Sequence, residues 1–169
     1  LGTPSKRWNT LYTNFVNGRE AVVDGYTLNG VDLLTRHGGV LYVAQEGSDD
    51  NTGDHLFDPL ATISEALSRA EASGEQPFTI MVSAGEYQEA LPLVVPPNVS
   101  VIGADIRNVI ITPDTSSQSE DVFHLNDKTL ISNLTIKNFY YDSLNNTGYA
   151  FRFAPDAVMS ERSPYIQNI

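Results

Sequence analysis

Three carboxylates and one asparagine within residues 47–54 could supply the oxygen ligands that calcium prefers. The carboxylates are Asp49, Asp50 and Asp54. Their spacing does not match the EF-hand loop, which alternates acceptors around a central glycine and ends on a glutamate. The stretch is also typical of a polar turn, so we predict a turn without a bound metal.

Two further pairs of carboxylates are close enough in sequence to act together. Glu86 and Glu89 follow a short strand, and we expect both to have structural roles. Glu120 and Asp121 precede another strand and follow the serine-rich residues 115–119. A glycosidase needs two carboxyl groups at a fixed separation across a groove, and the sequence shows no pair that meets this requirement.

The remaining candidate reactive groups are explained by ordinary structure. The histidines lack the spacing of a metal site. They are His37, His55 and His124. Asp156, Glu161 and Arg162 fall in a polar excursion that we interpret as a solvated loop. Because no nucleophile elbow, phosphate-binding loop or cofactor fingerprint occurs, we predict no catalytic, cofactor-binding or metal-binding residue and no cofactor.

One loop combines aromatic and amide side chains that suit sugar binding. Residues 140–142 are Tyr-Tyr-Asp, and residues 145–148 are Asn-Asn-Thr-Gly. Ordinary loop chemistry explains the same residues, so both interpretations stay open.

These groups must be positioned by a chain of short strands. A motif of Ile, any residue, Asn and an aliphatic residue occurs at residues 106–109, 131–134 and 166–169, so its asparagines are 25 and then 35 residues apart. Asparagine tolerates the left-handed backbone conformation and can bond nearby backbone groups, so each motif predicts a bend between strands. Periods of this size are typical of solenoids.

One helix is predicted, at about residues 62–73. Thr62 and Glu65 form a capping box, and apolar residues follow at helical spacing until Gly74. From Phe78 onward, short strands follow one another without a second helix, which does not fit a doubly wound sheet. Of a sandwich and a parallel β-helix, the repeats favour the β-helix, with the helix capping its open strand edge.

The composition limits the partners of the chain. A formal net charge of -11 argues against binding to nucleic acid or an anionic membrane, because such surfaces attract Lys and Arg clusters. No stretch approaches the roughly 20 apolar residues of a membrane helix. The absence of cysteine excludes disulfides and thiolate chemistry.

Residues 1–38 are polar and turn-rich, and they are too short to form a core. Asn17-Gly18 and Asn29-Gly30 each predict a tight turn after a short strand. Aromatic residues such as Trp8 and Tyr12 would be exposed in a thin β segment, so we expect partner chains to cover them. An intertwined trimeric stalk would do so.

Residues 1–12, LGTPSKRWNTLY, resemble a phrase common in bacteriophage tail fibres and tailspikes. That phrase has Leu-Gly, small polar residues, Arg-Trp and then an aliphatic residue with Tyr. The strand and turn at residues 15–18 are also similar to those proteins. The resemblance covers about thirty residues and implies a trimeric virion protein.

Residues 40–169 resemble the pectin-lyase-like superfamily of right-handed parallel β-helices. The matching phrases are Tyr42-Val43 with Gly47-Ser48-Asp49, residues 82–89 (VSAGEYQE) and residues 92–103. The resemblance implies an all-β fold: the start of a right-handed parallel β-helix of about three coils, with one N-terminal capping helix. Catalytic residues of this superfamily usually lie on later coils.

We therefore expect a stalk or connector at residues 1–38 and the N-terminal part of a β-helix at residues 39–169, broken inside its third coil. The expected function is that of a virion structural protein, a tail fibre or tailspike component that supports attachment to the host surface. Expected partners are identical chains in a homotrimer, other tail or baseplate proteins, and host polysaccharide. We expect no nucleic-acid partner and no membrane insertion, and we expect the chain in the phage tail.

Two other functions stay open, although this fragment itself is expected to be non-enzymatic. One is a polysaccharide depolymerase, a lyase or glycoside hydrolase, whose active site lies beyond residue 169. The other is a bacterial surface adhesin.

Overall fold

The computed structural model of the chain describes residues 27–28, 31–32, 39–74, 77–158 and 164–169. The chain divides into two compact units, Leu1–Arg36 and His37–Ile169. In the first unit, β1 (Thr27–Leu28) pairs with β2 (Val31–Asp32) in the antiparallel direction. The turns predicted at residues 17–18 and 29–30, the aromatic residues before the first turn and the trimeric stalk lie outside the described residues.

Short parallel strands make up most of the second unit, and the described residues include one short helix, α1 (Ile63–Ala72). The strands are β3 (Gly39–Val43), β4 (Phe78–Val82), β5 (Gly85–Glu89), β6 (Leu93–Val95), β7 (Val99–Gly103), β8 (Val109–Pro113), β9 (Phe123–Leu125), β10 (Leu130–Ser132), β11 (Thr135–Ile136), β12 (Phe151–Phe153) and β13 (Tyr165–Gln167). The pairings among β3 to β13 are parallel. The chain is therefore mostly β, as predicted, and an antiparallel sandwich does not fit.

The strands of this unit form three sheets, and the chain visits the sheets in turn. The first sheet has the order β13-β10-β7-β4-β3, the second β11-β8-β5 and the third β12-β9-β6. Each strand from β4 to β10 therefore lies beside the strand three places later in the chain. We call three successive strands, one from each sheet, a coil.

Apolar side chains fill the space between the sheets, because alternate residues of each strand point inward. In the first sheet Ile80, Val101 and Ile131 lie side by side in register, and all three are fully buried. Ile166 of β13 is the next residue in this row and is 42% exposed. Burying one such side chain contributes about 1.5–3 kcal/mol, so each coil is stabilised mainly by its neighbouring coils.

The second and third Ile-x-Asn motifs occupy equivalent places, as the repeat predicts. Ile131 pairs with Ile166, and Asn133 and Asn168 both adopt the left-handed conformation, with φ of 58° and 53°. The side-chain nitrogen of Asn168 donates a hydrogen bond to Oδ1 of Asn133 at 2.9 Å. Successive bends are therefore bonded to each other through their asparagines.

The first motif keeps this arrangement only in part, because its first residue lies outside the paired strands. Val101, and not Ile106, lies beside Ile131. The reason is that residues 104–108 form a longer connection between β7 and β8, so most of the motif falls in that connection. The strand that follows the motif keeps register with the next coil, since Ile110 and Ile111 lie beside Thr135 and Ile136.

Helix α1 begins and ends close to its predicted limits. Thr62 is the N-cap, and its hydroxyl accepts a hydrogen bond from the Glu65 backbone N–H at 3.1 Å. The second half of the predicted capping box differs, because Glu65 pairs with Arg69 at 2.7 Å. The Thr62 N–H donates instead to Oδ1 of Asp49 at 3.0 Å. The polar residues 47–54 thus help to hold the helix start, which their sequence pattern did not reveal.

A buried carboxylate attaches the helix start to the first coil. Glu89 on β5 is 2% exposed; its Oε1 accepts the Ile63 N–H at 2.7 Å, and its Oε2 accepts the Ser64 N–H at 3.2 Å. These N–H groups have no partner within the helix, and the helix dipole favours a negative charge beside them. Burial raises the pKa of Glu89 above its usual value, and the hydrogen bonds offset part of that rise. The apolar face of α1 contacts β3 to β6, including β5 and β6 at the edges of their sheets, in agreement with the predicted cap.

Replacing Glu89 by alanine is expected to lower the free energy of unfolding by about 2–4 kcal/mol, because two buried N–H groups lose their acceptor and a cavity forms. Glu86→Ala on the same strand is the matched control, since Glu86 is exposed and its ion pair with Lys137 contributes less than about 1 kcal/mol. Urea denaturation measures both losses, and equal losses would contradict the role of Glu89.

Because the folded-state pKa of Glu89 is raised, the contribution of its protonation to the free energy of unfolding is greatest below the unfolded-state value of 4.5. This contribution declines as pH rises through the folded-state pKa.

The left-handed bend at Asn133 gives a second test of the fold. Asn133→Ala is expected to be less stable than Asn133→Gly by about 1 kcal/mol, because alanine resists a φ of 58° and glycine adopts it readily. Both variants lose the hydrogen bond to Asn168, so their difference isolates the backbone conformation. Thermal denaturation compares the two, and an alanine variant as stable as the glycine variant would refute a left-handed bend.

Candidate functional site

Polar side chains project from the outer face of the third sheet. Val94, His124 and Arg152 occupy equivalent positions on β6, β9 and β12. The neighbours of His124 on β9, Phe123 and Leu125, are buried in the core, so His124 points outward. The stacking of coils therefore places His124 beside Arg152.

A buried carboxylate, Asp121, joins these outward side chains to the loop that precedes β12. Asp121 is 2% exposed. Its Oδ1 accepts the Tyr149 backbone N–H at 3.0 Å, and its Oδ2 accepts a hydrogen bond from His124 Nε2 at 3.0 Å. The same Oδ2 forms an ion pair with Arg152 Nη1 at 3.1 Å. Two hydrogen-bond donors and one cation from separate parts of the chain thus converge on one carboxylate.

The electrostatic surroundings keep Asp121 ionised. Burial alone would raise the pKa of Asp121, but hydrogen bonds from the Tyr149 backbone and His124, together with the charge of Arg152, lower it below its usual value. At neutral pH the carboxylate is therefore negative, and it compensates the charge of Arg152.

Residues 140–150 form a tightly bonded loop next to Asp121. Asp142 and Thr147 pair through two backbone hydrogen bonds of 2.9 and 3.2 Å. Gly148 has a φ of 89°, and it lies so close to the Tyr140 carbonyl that any side chain at this position would clash. This bonding fixes the aromatic residues of the loop relative to β12.

Two tyrosines and the Arg152 guanidinium form one surface on this loop. The rings of Tyr141 and Tyr149 meet edge to face with centroids 5.5 Å apart, and both hydroxyls donate to Oδ1 of Asn146, at 3.2 and 2.9 Å. The guanidinium lies 4.7 Å from the centre of the Tyr149 ring, and its Nη2 donates to the Asn146 carbonyl at 2.6 Å. Tyr141 and Tyr149 are 54% and 39% exposed. We call Asp121, His124, Tyr141, Asn146, Tyr149 and Arg152 the Tyr–Arg cluster.

The other residues that the sequence singles out are not part of this cluster, although Glu120 is the chain neighbour of Asp121. Asp49 and Glu89 both bond the start of α1. Exposed at the surface are His55, Glu86, Glu120 and Asp156. Outside the described residues are His37, Glu161 and Arg162. Within the described ranges, no three His, Asp or Glu side chains are arranged to hold a metal ion.

The sequence indicates only part of the Tyr–Arg cluster. Tyr141 and Asn146 belong to the loop whose composition suits sugar binding, but no pattern links them to Asp121. The one available signal in the sequence is that His124 and Arg152 are 28 residues apart, which is close to the 25 residues between the first two motif asparagines. This similarity indicates that the two residues are neighbours only once β9 and β12 are known to pair.

Comparison with known protein families gives a match for one part of the chain. Residues 45–108 match the model of a family described as a protein of unknown function, DUF1565. The match covers less than half of the chain; it includes α1 and the strands β4 to β7, and it ends before the Tyr–Arg cluster. No curated protein and no solved structure matches the chain. The helix that the structure describes lacks the length and apolar character needed to cross a membrane.

Asp121→Asn is expected to lower the free energy of unfolding by about 1–3 kcal/mol at neutral pH, because a neutral amide loses the ion pair with Arg152 and leaves one donor without an acceptor. Since folding lowers the pKa of Asp121, its contribution is fully present above the unfolded-state value of 3.8 and is lost as pH falls through the folded-state pKa. Denaturation across this acid range measures both effects.

The control for this experiment is Glu120→Gln, which changes the adjacent exposed carboxylate and should alter stability by less than about 0.5 kcal/mol. A destabilisation by Asp121→Asn that stays constant from neutral pH to well below 3.8 would contradict the electrostatic role of Asp121.

Proposed function

We propose that the chain is part of a bacteriophage tail fibre or tailspike and supports attachment to the host surface. In this proposal residues 39–169 are the start of a right-handed parallel β-helix. The passage of the chain through three parallel sheets in turn, with the strands of successive coils in register, supports this fold. Parallel crossovers are right-handed in about 98% of cases, which supports the handedness.

The assignment to a virion rests on residues 1–12, LGTPSKRWNTLY, and their resemblance to tail fibres and tailspikes. Residues 1–38 would connect the β-helix to the particle as a thin homotrimeric stalk. The other partners in this proposal are tail or baseplate proteins and the host surface polysaccharide.

The exposed surface of the Tyr–Arg cluster is the observation that supports a role in host attachment. Its half-exposed tyrosine rings lie beside amide and guanidinium groups, so the surface is both apolar and able to form hydrogen bonds. A saccharide has the same mixed character, with C–H faces and hydroxyl groups. Because the cluster stands on packed strands and a bonded loop, little ordering is needed when a ligand binds.

The experiment is a binding measurement of the full-length protein on immobilised bacterial capsular polysaccharides and lipopolysaccharides. We expect binding to polysaccharide from the host, and we expect Tyr141→Ala to weaken it by about tenfold or more. Tyr165→Ala is the matched control, because Tyr165 is an exposed tyrosine on a different sheet. It should leave binding unchanged.

Sedimentation of the same protein tests the assembly and is expected to show a trimer. A stable monomer would contradict the stalk, and the absence of binding to any bacterial polysaccharide would contradict host attachment. Shortened polysaccharide chains after incubation would instead support a depolymerase.

A further inference from the structure

The positive charge of the Tyr–Arg cluster is compensated within the protein. Arg152 is the one permanently cationic residue of the six, and it bonds Asp121 at 3.1 Å and the Asn146 carbonyl at 2.6 Å. One side of its guanidinium also lies over the Tyr149 ring. A carboxylate or phosphate on a ligand would therefore have to compete with Asp121 for this group.

Asp121 and Asp142 in this region are also engaged, whereas the adjacent Glu120 is exposed. The Asp121 side chain is 3% exposed, and its oxygens already form two hydrogen bonds and the ion pair with Arg152. In the adjacent loop, Asp142 accepts the Leu144 N–H and the Asn145 side-chain amide, both at 2.8 Å. A cationic ligand would thus meet carboxylates whose oxygens are already bonded.

The most exposed groups of the cluster are uncharged, whereas the Arg152 side chain is 35% exposed and is paired with Asp121. Tyr141, Asn146 and Tyr149 are exposed, and each phenol hydroxyl can accept as well as donate a hydrogen bond. The Asn146 amide nitrogen makes no hydrogen bond to another described residue, so it can donate to a ligand. Interaction of the neutral Tyr141 phenol with the Tyr149 hydroxyl raises the pKa of Tyr141 above its usual value, so Tyr141 stays neutral.

The charge of the whole chain acts in the same direction. A formal net charge of -11 repels acidic polymers as they approach. This repulsion extends over about 8 Å at physiological ionic strength, which is comparable with the size of one or two sugar rings.

We infer that the ligand of the Tyr–Arg cluster is an uncharged saccharide unit. Its C–H face would pack on Tyr141, and its hydroxyl groups would bond Asn146 and the phenols. This inference rests on the proposed host attachment and adds the class of ligand to it. Acidic sugars are disfavoured, because their carboxylates would lie beside an arginine that is already paired.

The test uses acidic bacterial polysaccharides and the same polymers after chemical reduction of their carboxyl groups to alcohols. Reduction replaces each carboxylate by an uncharged hydroxymethyl group and keeps the linkages, so each pair of polymers differs only at these groups. Titration calorimetry with the full-length protein is expected to show that the reduced polymers that bind do so at least about tenfold more tightly than their acidic parents. Their affinity should not change at high salt.

Variants connect this preference to the cluster. Tyr141→Ala should weaken binding of the reduced polymer by about tenfold or more, Tyr141→Phe should retain most of the affinity through its ring, and Tyr165→Ala should have no effect. Equal or tighter binding of the acidic parents, weakened by salt, would overturn the inference and leave host attachment standing. If the wild-type protein bound neither the acidic nor the reduced polymers, both proposals would fail.

Discussion

The hydrogen bonds between the Glu89 carboxylate and the start of α1 attach the helix to the first coil, and the later coils stack on that coil. The buried Glu89 satisfies the N–H groups of Ile63 and Ser64, and on the other side of the helix start Asp49 accepts from Ala61 and Thr62. Carboxylates from two distant segments thus supply the acceptors that a helix N-terminus lacks. The helix then covers the edges of β5 and β6, which would otherwise be open to pairing with other chains.

Among the described residues, the two most buried carboxylates are Glu89 and Asp121, and their pKa values shift in opposite directions because their partners differ. Glu89 accepts hydrogen bonds from two neutral N–H groups of a helix. These bonds do not fully replace those lost to water, so burial raises the pKa of Glu89. Asp121 is also penalised by burial, but the bonds from Tyr149 and His124 and the charge of Arg152 reverse that effect and lower its pKa. Glu89 therefore attaches helix α1 to the first coil, whereas Asp121 holds His124, Arg152 and the Tyr149 backbone together at the surface.

This surface combines residues from β9, the 140–150 loop and β12. Asp121 forms two hydrogen bonds and the ion pair with Arg152, and it is the one carboxylate among the six residues of the cluster. The match to DUF1565 ends at residue 108. The matched family thus covers the start of the scaffold, and the candidate site lies on the coils that follow it.

Local patterns in the sequence determined the mostly β character, the limits of α1 and the bend at Asn133, because capping, side-chain periodicity and the left-handed preference of asparagine act within a few residues. They misplaced Ile106, since the length of the connection before β8 becomes evident only when the strands are paired. They also left Asp121 and Arg152 unrelated, although the two form an ion pair across 31 residues of chain. Only the parallel register that sets β12 beside β9 decided that contact, because a salt bridge depends on distance in space and leaves no periodic pattern in the sequence.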